Sequence, residues 1–258
     1  MPKFAANLSM LFTELPFLDR FAAAARAGFS AVECQFPYEA PAAEIAARLR
    51  GEGLTLVLHN LPPGDWTAGD RGVAIFPDRR QEFRDGVARA LDYAVALGCD
   101  QLNCLAGVAP EGADRHALDE TFAENLAFAA GVLNEAGIKL LIEPINTLDM
   151  PRFHLNRTRH ALDLITASGS DNVFVQYDAY HMQIMEGDLA RTLERHIDRI
   201  AHVQVADNPG RHEPGTGEIN FPFLFAHLDR IGYRGWVGCE YRPAAATEDG
   251  LGWLRAAS

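Results

Sequence analysis

The stretch NEAGIKLLIE, residues 134–143, carries the pattern that decides the fold. It reads as the end of a helix, then a glycine, a short apolar run and a terminal acid. Glycine commonly ends a helix because it adopts the left-handed backbone conformation without steric cost. The apolar run is too short for a helix and is typical of a strand buried on both faces. The segment therefore predicts a helix-to-strand joint whose strand ends in a carboxylate.

The same pattern of a helix, a glycine and a short strand recurs along the chain. It appears as RAGFSAVE (26–33), GEGLTLVL (51–58), ALGCDQLN (96–103) and RIGYRGWVGCE (230–240). In each case a glycine stands where a helix is expected to stop, which predicts helix ends at Gly28, Gly53, Gly98, Gly137 and Gly232. Such repetition predicts alternating helices and parallel strands.

This alternation extends over the whole sequence. The predicted strands are 3–9, 31–35, 54–59, 101–104, 138–143, 173–178, 200–205 and 236–240. The predicted helices are 15–27, 40–51, 78–97, 115–136, 158–168, 187–198, 221–231 and 247–256. Eight such units match the ~250-residue size of a (β/α)8 TIM barrel. A doubly wound open sheet would need a glycine-rich turn after the first strand, and residues 7–12 hold no glycine. We expect one TIM-barrel domain over residues 1–258.

The composition of the chain disfavours several classes of function. The chain has 258 residues with 23 basic and 35 acidic side chains, a net charge of −12 that disfavours nucleic acid as a partner. No apolar run reaches the ~18 residues of a membrane helix, so no membrane partner is expected. The start of the chain does not resemble a secretory signal, and the four cysteines form no C-x-x-C pair. We expect a cytoplasmic protein with reduced, buried thiols; a homo-oligomer is compatible with these features.

Candidate chemistry collects at the ends of the last four predicted strands, which carry Glu143, Asp178, Gln204 and Glu240. They are separated by 35, 26 and 36 residues, about one repeat each. In a (β/α)8 barrel the carboxyl ends of the strands meet at one rim, where the active site lies. Three carboxylates there would repel unless a cation bound them, and an all-oxygen set favours Mg²⁺ or Mn²⁺. The competing interpretation is that individual acids form salt bridges with nearby arginines.

Five motifs together resemble the hydroxypyruvate isomerase family of the xylose-isomerase-like TIM-barrel superfamily. They are IEPIN (142–146), YDAYHMQ (177–183), AHVQVAD (201–207), GRHEPGTGEINF (210–221) and GWVGCEYRP with TEDGLGW (235–253). The resemblance spans nearly the whole chain. It departs from the family at residues 150–154, where MPRFH replaces a more usual Pro-Gly followed by aromatic residues. That departure places Arg152 in the loop after the fifth strand and bears on substrate specificity.

The resemblance implies an enzyme, a metal-dependent aldose–ketose isomerase acting on a small hydroxy-oxo acid. It would interconvert hydroxypyruvate and 2-hydroxy-3-oxopropanoate through an enediolate. By this resemblance the four strand-end residues bind the metal, and Glu143 and Glu240 are the paired catalytic acid and base. His181 and Arg211 are the expected substrate-binding residues, with Arg152 as a third candidate. The long 60–77 loop is expected over the active site or as a structural excursion.

The sequence is also compatible with other functions. A 2-oxo-tetronate isomerase would use the same chemistry on a longer acid, and pocket length near Arg152 and Trp66 would discriminate the two. A ketose 3-epimerase is disfavoured because many such relatives have histidine where this chain has Gln204. The net charge and Gln204 also disfavour a multi-zinc apurinic-site nuclease. A catalytically silent binding barrel is the last alternative.

Overall fold

The computed structural model describes residues 2–256, in which eight parallel strands pair in chain order and close into a barrel. The strands are β1 (Lys3–Asn7), β2 (Ala31–Cys34), β3 (Thr55–Asn60), β4 (Gln101–Cys104), β5 (Lys139–Ile142), β6 (Val173–Asp178), β7 (Ile200–Val205) and β8 (Trp236–Cys239). The last strand pairs with the first along Lys3 to Ala6, so the sheet has no free edge. The predicted (β/α)8 TIM barrel is confirmed.

Helices surround this barrel and connect its strands. Within the described chain they are α1 (Arg20–Arg26), α2 (Ala42–Glu52), α3 (Arg80–Leu97), α4 (Arg115–Glu135), α5 (Thr158–Ser168), α6 (Ala179–Met185), α7 (Leu189–His196), α8 (Phe221–Arg230) and α9 (Gly252–Ala256). Gly53 and Gly98 end α2 and α3 in the left-handed conformation that the sequence predicted. Their backbone N–H groups bond the last helical carbonyls, which explains why glycine is needed there.

The observed helices differ from the predicted ones most clearly at two places. Helix 247–256 is a short 3-10 turn over Thr247–Gly250 followed by α9, because the TEDG segment turns too tightly to continue into one helix. The sequence did not predict α6, which begins directly after β6. Its N-cap is Asp178, whose side chain accepts a hydrogen bond from Tyr180 N at 2.8 Å. No helix among residues 2–256 is long and apolar enough to cross a membrane.

The barrel interior changes from apolar to polar along its axis. A small apolar cluster lies within it, including Ala5, Val57 and Leu141. Because successive strand residues face opposite sides of a sheet, Asn7 and Glu143 follow Ala5 and Leu141 on the same inner face. Both are buried at the carboxyl ends of their strands. The fold therefore collects buried polar groups at one end of the barrel, and all four cysteines are free and buried.

Candidate active site

Three carboxylates and one imidazole meet at the polar end of the barrel. Glu143 follows β5, Asp178 ends β6 and Glu240 follows β8, while His181 lies in the first turn of α6. One side-chain atom from each lies within 4.8 Å of the others, and all four residues are buried. The structure thus brings together three of the four residues at the predicted strand ends, with His181 beside them. Such a group can hold a metal ion.

The electrostatics of this group are unfavourable without a cation. Burial, followed by repulsion from Glu240 and Asp178, raises the pKa of Glu143 well above its usual value. Burial also raises the pKa of Asp178 to about 7 and that of Glu240 above its usual value. The Oδ2 atom of Asp178 is buried and accepts no hydrogen bond from the described residues. Water has been removed from these acids without full replacement by protein donors, which is how sites for cations or protons are built.

Arg211 is the cation nearest to this group. Its Nη2 lies 2.8 Å from Glu240 Oε2 and 3.9 Å from Asp178 Oδ2. Its guanidinium also lies over the ring of Tyr180, 5.1 Å from the ring centre. The loop after β7 holds Arg211 at a φ of 54°, a left-handed conformation that a long side chain rarely adopts. Arg211, the predicted substrate-binding arginine, thus forms an ion pair with the acids of the site.

His181 has a defined tautomer. Asn146 Oδ1 accepts hydrogen bonds from the backbone N–H groups of Leu148 and Asp149, so Asn146 Nδ2 must donate to His181 Nδ1, 2.7 Å away. The ring proton therefore lies on Nε2, 3.5 Å from Asp178 Oδ2. Burial, with Arg211 nearby, lowers the pKa of His181 well below its usual value, so the ring is neutral. A neutral imidazole with Nε2–H acts as a hydrogen-bond donor into the site rather than as a metal ligand.

Gln204 hydrogen-bonds to buried polar residues other than the three acids. It pairs in register with Asp178 on the neighbouring strand. Its Nε2 donates to Glu33 Oε1 at 2.7 Å, and its Oε1 accepts from Gln176 Nε2 at 2.6 Å. Glu33 also accepts from Asn7 Nδ2 at 2.9 Å and from the ring of His202 at 2.7 Å. With Nε2 oriented by Glu33, the amide oxygen of Gln204 keeps one lone pair for another partner.

Several polar residues of the site were missed or left undecided by sequence reasoning. Asn103 donates to Glu143 Oε2 at 3.0 Å, whereas Gln35 and Asn7 donate to Glu240 Oε1 at 3.0 and 3.1 Å. Each stands at or just after the end of a strand in the first half of the barrel. Their position near the strand ends was the one sequence feature that could have indicated a role in the site. Amides at strand ends are, however, as often core hydrogen-bonding groups as site residues.

A cleft of about 600 Å³ opens above the acids. Trp66 and Arg71 of the 60–77 loop line it, which confirms the interpretation that this loop lies over the site. Arg152 does not line it: its guanidinium lies 3.9 Å from Glu111, and both side chains are exposed. Arg152, the third candidate for substrate binding, is therefore not among the residues that line the cleft, whereas Trp66 and Met150 are.

The PGTGE segment resembles a phosphate-binding turn in sequence, but its donors are already occupied. Asp207 accepts hydrogen bonds from the backbone N–H groups of Gly215 at 2.9 Å and Gly217 at 2.8 Å. It also accepts from Ile219 N at 3.0 Å. A side-chain carboxylate thus fills the cradle that a phosphate would occupy, and the segment is structural.

The sequence and the fold are similar to those of known proteins. The profile of the family described as Xylose isomerase-like TIM barrel matches residues 21–257. The 2-oxo-tetronate isomerase of Cupriavidus necator is 53% identical over 255 residues, covering 99% of this chain and 98% of that protein. The Hydroxypyruvate isomerase of Escherichia coli is 52% identical, covering 98% of each. A Brucella melitensis structure described as AP endonuclease, family 2, has a TM-score of 0.97 at 51% identity, covering 99% of each chain.

The chain therefore belongs to the Xylose isomerase-like TIM barrel family. Within that family it is an isomerase, of the kind that the two curated relatives represent.

Proposed function

We propose that this isomerase interconverts the keto and aldehyde, or 2-oxo and 3-oxo, forms of a small hydroxy-oxo acid by proton transfer through an enediolate. Hydroxypyruvate and 2-hydroxy-3-oxopropanoate are the first substrate pair to test. The observation that carries this proposal is the meeting of Glu143, Asp178 and Glu240 beside the Nε2–H of His181. Such a reaction needs a base, carboxylates that can hold a cation, and a hydrogen-bond donor, all close to one point.

The same site fits a divalent cation. The site has three buried carboxylates with raised pKa values, and one of their oxygens, Asp178 Oδ2, has no hydrogen-bond partner among the described residues. Oxygen ligands of this type suit Mg²⁺ or Mn²⁺. Glu143, Asp178 and Glu240 would hold the ion, with the amide oxygen of Gln204 as the predicted fourth ligand. When bound, such an ion would polarise the carbonyl oxygen of the substrate and offset the charge of the enediolate.

The hydrogen bonds of the two glutamates assign different roles to them. Glu240 accepts from Asn7, Gln35 and Arg211, which stabilise its anionic form. Glu143 accepts only from Asn103 among the described side chains, and its pKa is raised further from the usual range. A carboxylate with fewer donors is the stronger base. In our proposal Glu143 removes the proton from the hydroxyl-bearing carbon and returns it to the neighbouring carbon.

The remaining groups orient the substrate and stabilise charge. His181 Nε2–H donates to a substrate oxygen, and Asn146 keeps the ring in the tautomer that allows this. Arg211 fixes the position of Glu240 and balances part of the negative charge. The hydroxyl proton moves to the former carbonyl oxygen, so atoms and electrons balance without an external oxidant.

A longer acid is a second candidate substrate. The cleft of about 600 Å³ has more room than a three-carbon acid needs, and relatives at 53% and 49% identity carry the name 2-oxo-tetronate isomerase. We therefore propose a comparison of hydroxypyruvate with 2-oxo-tetronate, measured as kcat/KM.

The test measures both turnover and metal content. Purified protein is analysed for bound metal, treated with a chelator, and assayed with each acid before and after addition of Mg²⁺ or Mn²⁺. In deuterated water, the transferred position should take up deuterium if a carboxylate carries the proton. Full activity after complete metal removal would contradict the metal assignment, and no turnover of either acid would contradict the proposed reaction.

A further inference from the structure

The proposed substrate carries a carboxylate that needs its own cationic partner. Arg211 was predicted to supply it, but its Nη2 is already 2.8 Å from Glu240. His181 has Nδ1 2.7 Å from Asn146 Nδ2 and Nε2 3.5 Å from Asp178 Oδ2. Arg211 is thus already ion-paired with an acid of the site, and both ring nitrogens of His181 face protein groups. This leaves the other cations that line the cleft, Arg71 and Arg242.

Arg71 is held in one orientation at the cleft. Its guanidinium lies 3.7 Å from the centre of the Trp66 ring, and Trp66 in turn contacts Phe36 at 5.3 Å between ring centres. Its Nη1 donates to the carbonyl oxygens of Asp70 at 2.6 Å and Trp66 at 3.1 Å. Its Nε and Nη2 have no hydrogen-bond partner among residues 2–256. An arginine with one nitrogen fixed and the rest of its fork free is pre-organised to bind a planar carboxylate.

The loop beneath Arg71 is itself fixed. The carboxylate of Asp70 forms two hydrogen bonds with Arg79, at 2.8 and 2.6 Å. The backbone of Gly72 packs so closely on Leu105 that a Cβ atom there would lie 2.1 Å from the Leu105 carbonyl oxygen. The loop is thus attached at both sides of Arg71. Little conformational entropy would be lost when Arg71 binds an anion, and pre-organisation of this kind increases affinity.

Arg242 approaches the cleft from the opposite wall. It follows Glu240 by two residues, and its backbone N–H donates to the Arg211 carbonyl oxygen at 2.8 Å. Its side chain is exposed, lines the cleft and has no hydrogen bond or ion pair with the part of the chain that the structure describes. By contrast, Asp149, an acid at the same cleft, is committed to Tyr180 at 2.8 Å. Asp149 keeps its charge, but among the described residues that line the cleft, Arg71 and Arg242 are cations without an ion-paired acid.

We propose that Arg71, assisted by Arg242, forms the subsite for the carboxylate of the substrate, separate from the acids that perform the proton transfer. This inference rests on the proposed function. It assigns the selectivity for oxo acids over neutral ketoses to these two arginines rather than to Arg211. A neutral ketose would leave both guanidinium groups without a counter-charge, whereas an acid would bridge the arginine side of the cleft and the proton-transfer site.

The test compares Arg71→Gln, Arg71→Lys and Arg242→Gln with wild-type protein. Arg159→Gln is the matched control, because Arg159 is exposed on α5, outside the cleft, and pairs with Asp163 at 2.9 Å. Loss of a charged hydrogen bond predicts a rise in KM for the acid of about 10- to 100-fold in Arg71→Gln, with kcat changed by less than about threefold. Arg71→Lys should recover part of this loss, since it keeps the charge without the fork. Arg242→Gln should raise KM by a smaller factor.

Dihydroxyacetone and erythrulose, neutral counterparts of the two acids, serve as competing ligands. Their inhibition constants should be the same in wild type and Arg71→Gln. An unchanged KM for the acid in both glutamine variants, or a fall in kcat alone, would overturn the subsite. If wild-type protein turns over neither acid, the proposed function fails by itself. Pyruvate binding by calorimetry then decides the subsite: binding that is lost in Arg71→Gln supports it, and binding that is unchanged overturns it.

Discussion

Replacing Glu143 with glutamine should have opposite effects on activity and stability. Activity should fall because the amide cannot accept the proton. We expect kcat to decrease by more than ~10³-fold, which corresponds to about 4 kcal/mol of barrier. Stability should rise in metal-free protein, because Glu143 is a buried acid whose ionisation is opposed by burial, Glu240 and Asp178. The variant keeps the size of the side chain and the hydrogen bond from Asn103.

The size of the stability gain depends on pH. An acid whose pKa is raised by folding binds a proton more tightly in the folded state, so stability falls as pH rises above 4.5, the usual value, until the folded pKa is reached. Glutamine removes this loss, at about 1.4 kcal/mol for each pH unit. The gain should be absent near pH 4.5 and reach an upper bound of about 3 kcal/mol at pH 7. For a chain of this length that equals roughly 6 °C in Tm.

Thermal melts of chelated protein between pH 4.5 and 7 measure this gain. Glu33→Gln is the matched control, since Glu33 is equally buried but accepts hydrogen bonds from Asn7, His202 and Gln204. The same substitution there should lower stability by about 1.5–3 kcal/mol, because a carboxylate oxygen facing a donor becomes an NH₂ group. A lower Tm for Glu143→Gln in chelated protein, or wild-type turnover, would refute the reasoning.

Three further predictions concern single residues around the site. Burial lowers the pKa of His59 to about 4. The unfolded chain therefore takes up a proton at a higher pH than the folded protein, and stability should fall as the pH decreases from 6.5 to 4. His59→Gln should remove about 3 kcal/mol of this loss, measured by urea titrations. Asn146→Asp should move the ring proton of His181 from Nε2 to Nδ1, visible in ¹⁵N NMR shifts, and lower kcat. Gly238→Ala should cost about 1–3 kcal/mol by calorimetry, because its Cβ would lie 2.3 Å from Glu33 Oε2. Gly131→Ala in α4, with open space at its Cβ, should not destabilise.

The strands could be predicted because their signal is local. β4, β6 and β7 have the predicted bounds, since each is a short buried segment that follows a predicted helix. The missed helix α6 shows where local reasoning stops. Its seven residues are mostly apolar and follow a strand directly, so nothing in their composition separates them from a loop. Asp178 caps the start of that helix, a role that its position at the end of a strand does not reveal.

The position of the acids could be predicted, but their partners could not. Spacing by one repeat places Glu143 and Glu240 at the same rim, because the barrel repeats its strand ends. Which cation neutralises them depends on the loop after β7, whose left-handed residue Arg211 reaches back to Glu240. That reach cannot be derived from periodicity. The same limit applies to Arg71, whose loop is shaped by close packing between Gly72 and Leu105.

The barrel holds two kinds of buried carboxylate, and the difference between them locates the chemistry. Glu33 accepts hydrogen bonds from three side chains, with Gly238 leaving room for its oxygens, so it serves the structure. Within residues 2–256, one buried oxygen of Asp178 has no donor, and Asn103 is the one side chain that donates to Glu143. A sequence consistent with its fold satisfies its buried groups, and exceptions mark places that a ligand completes. Glu143 also lines the cleft through which a substrate can enter, whereas Glu33 does not.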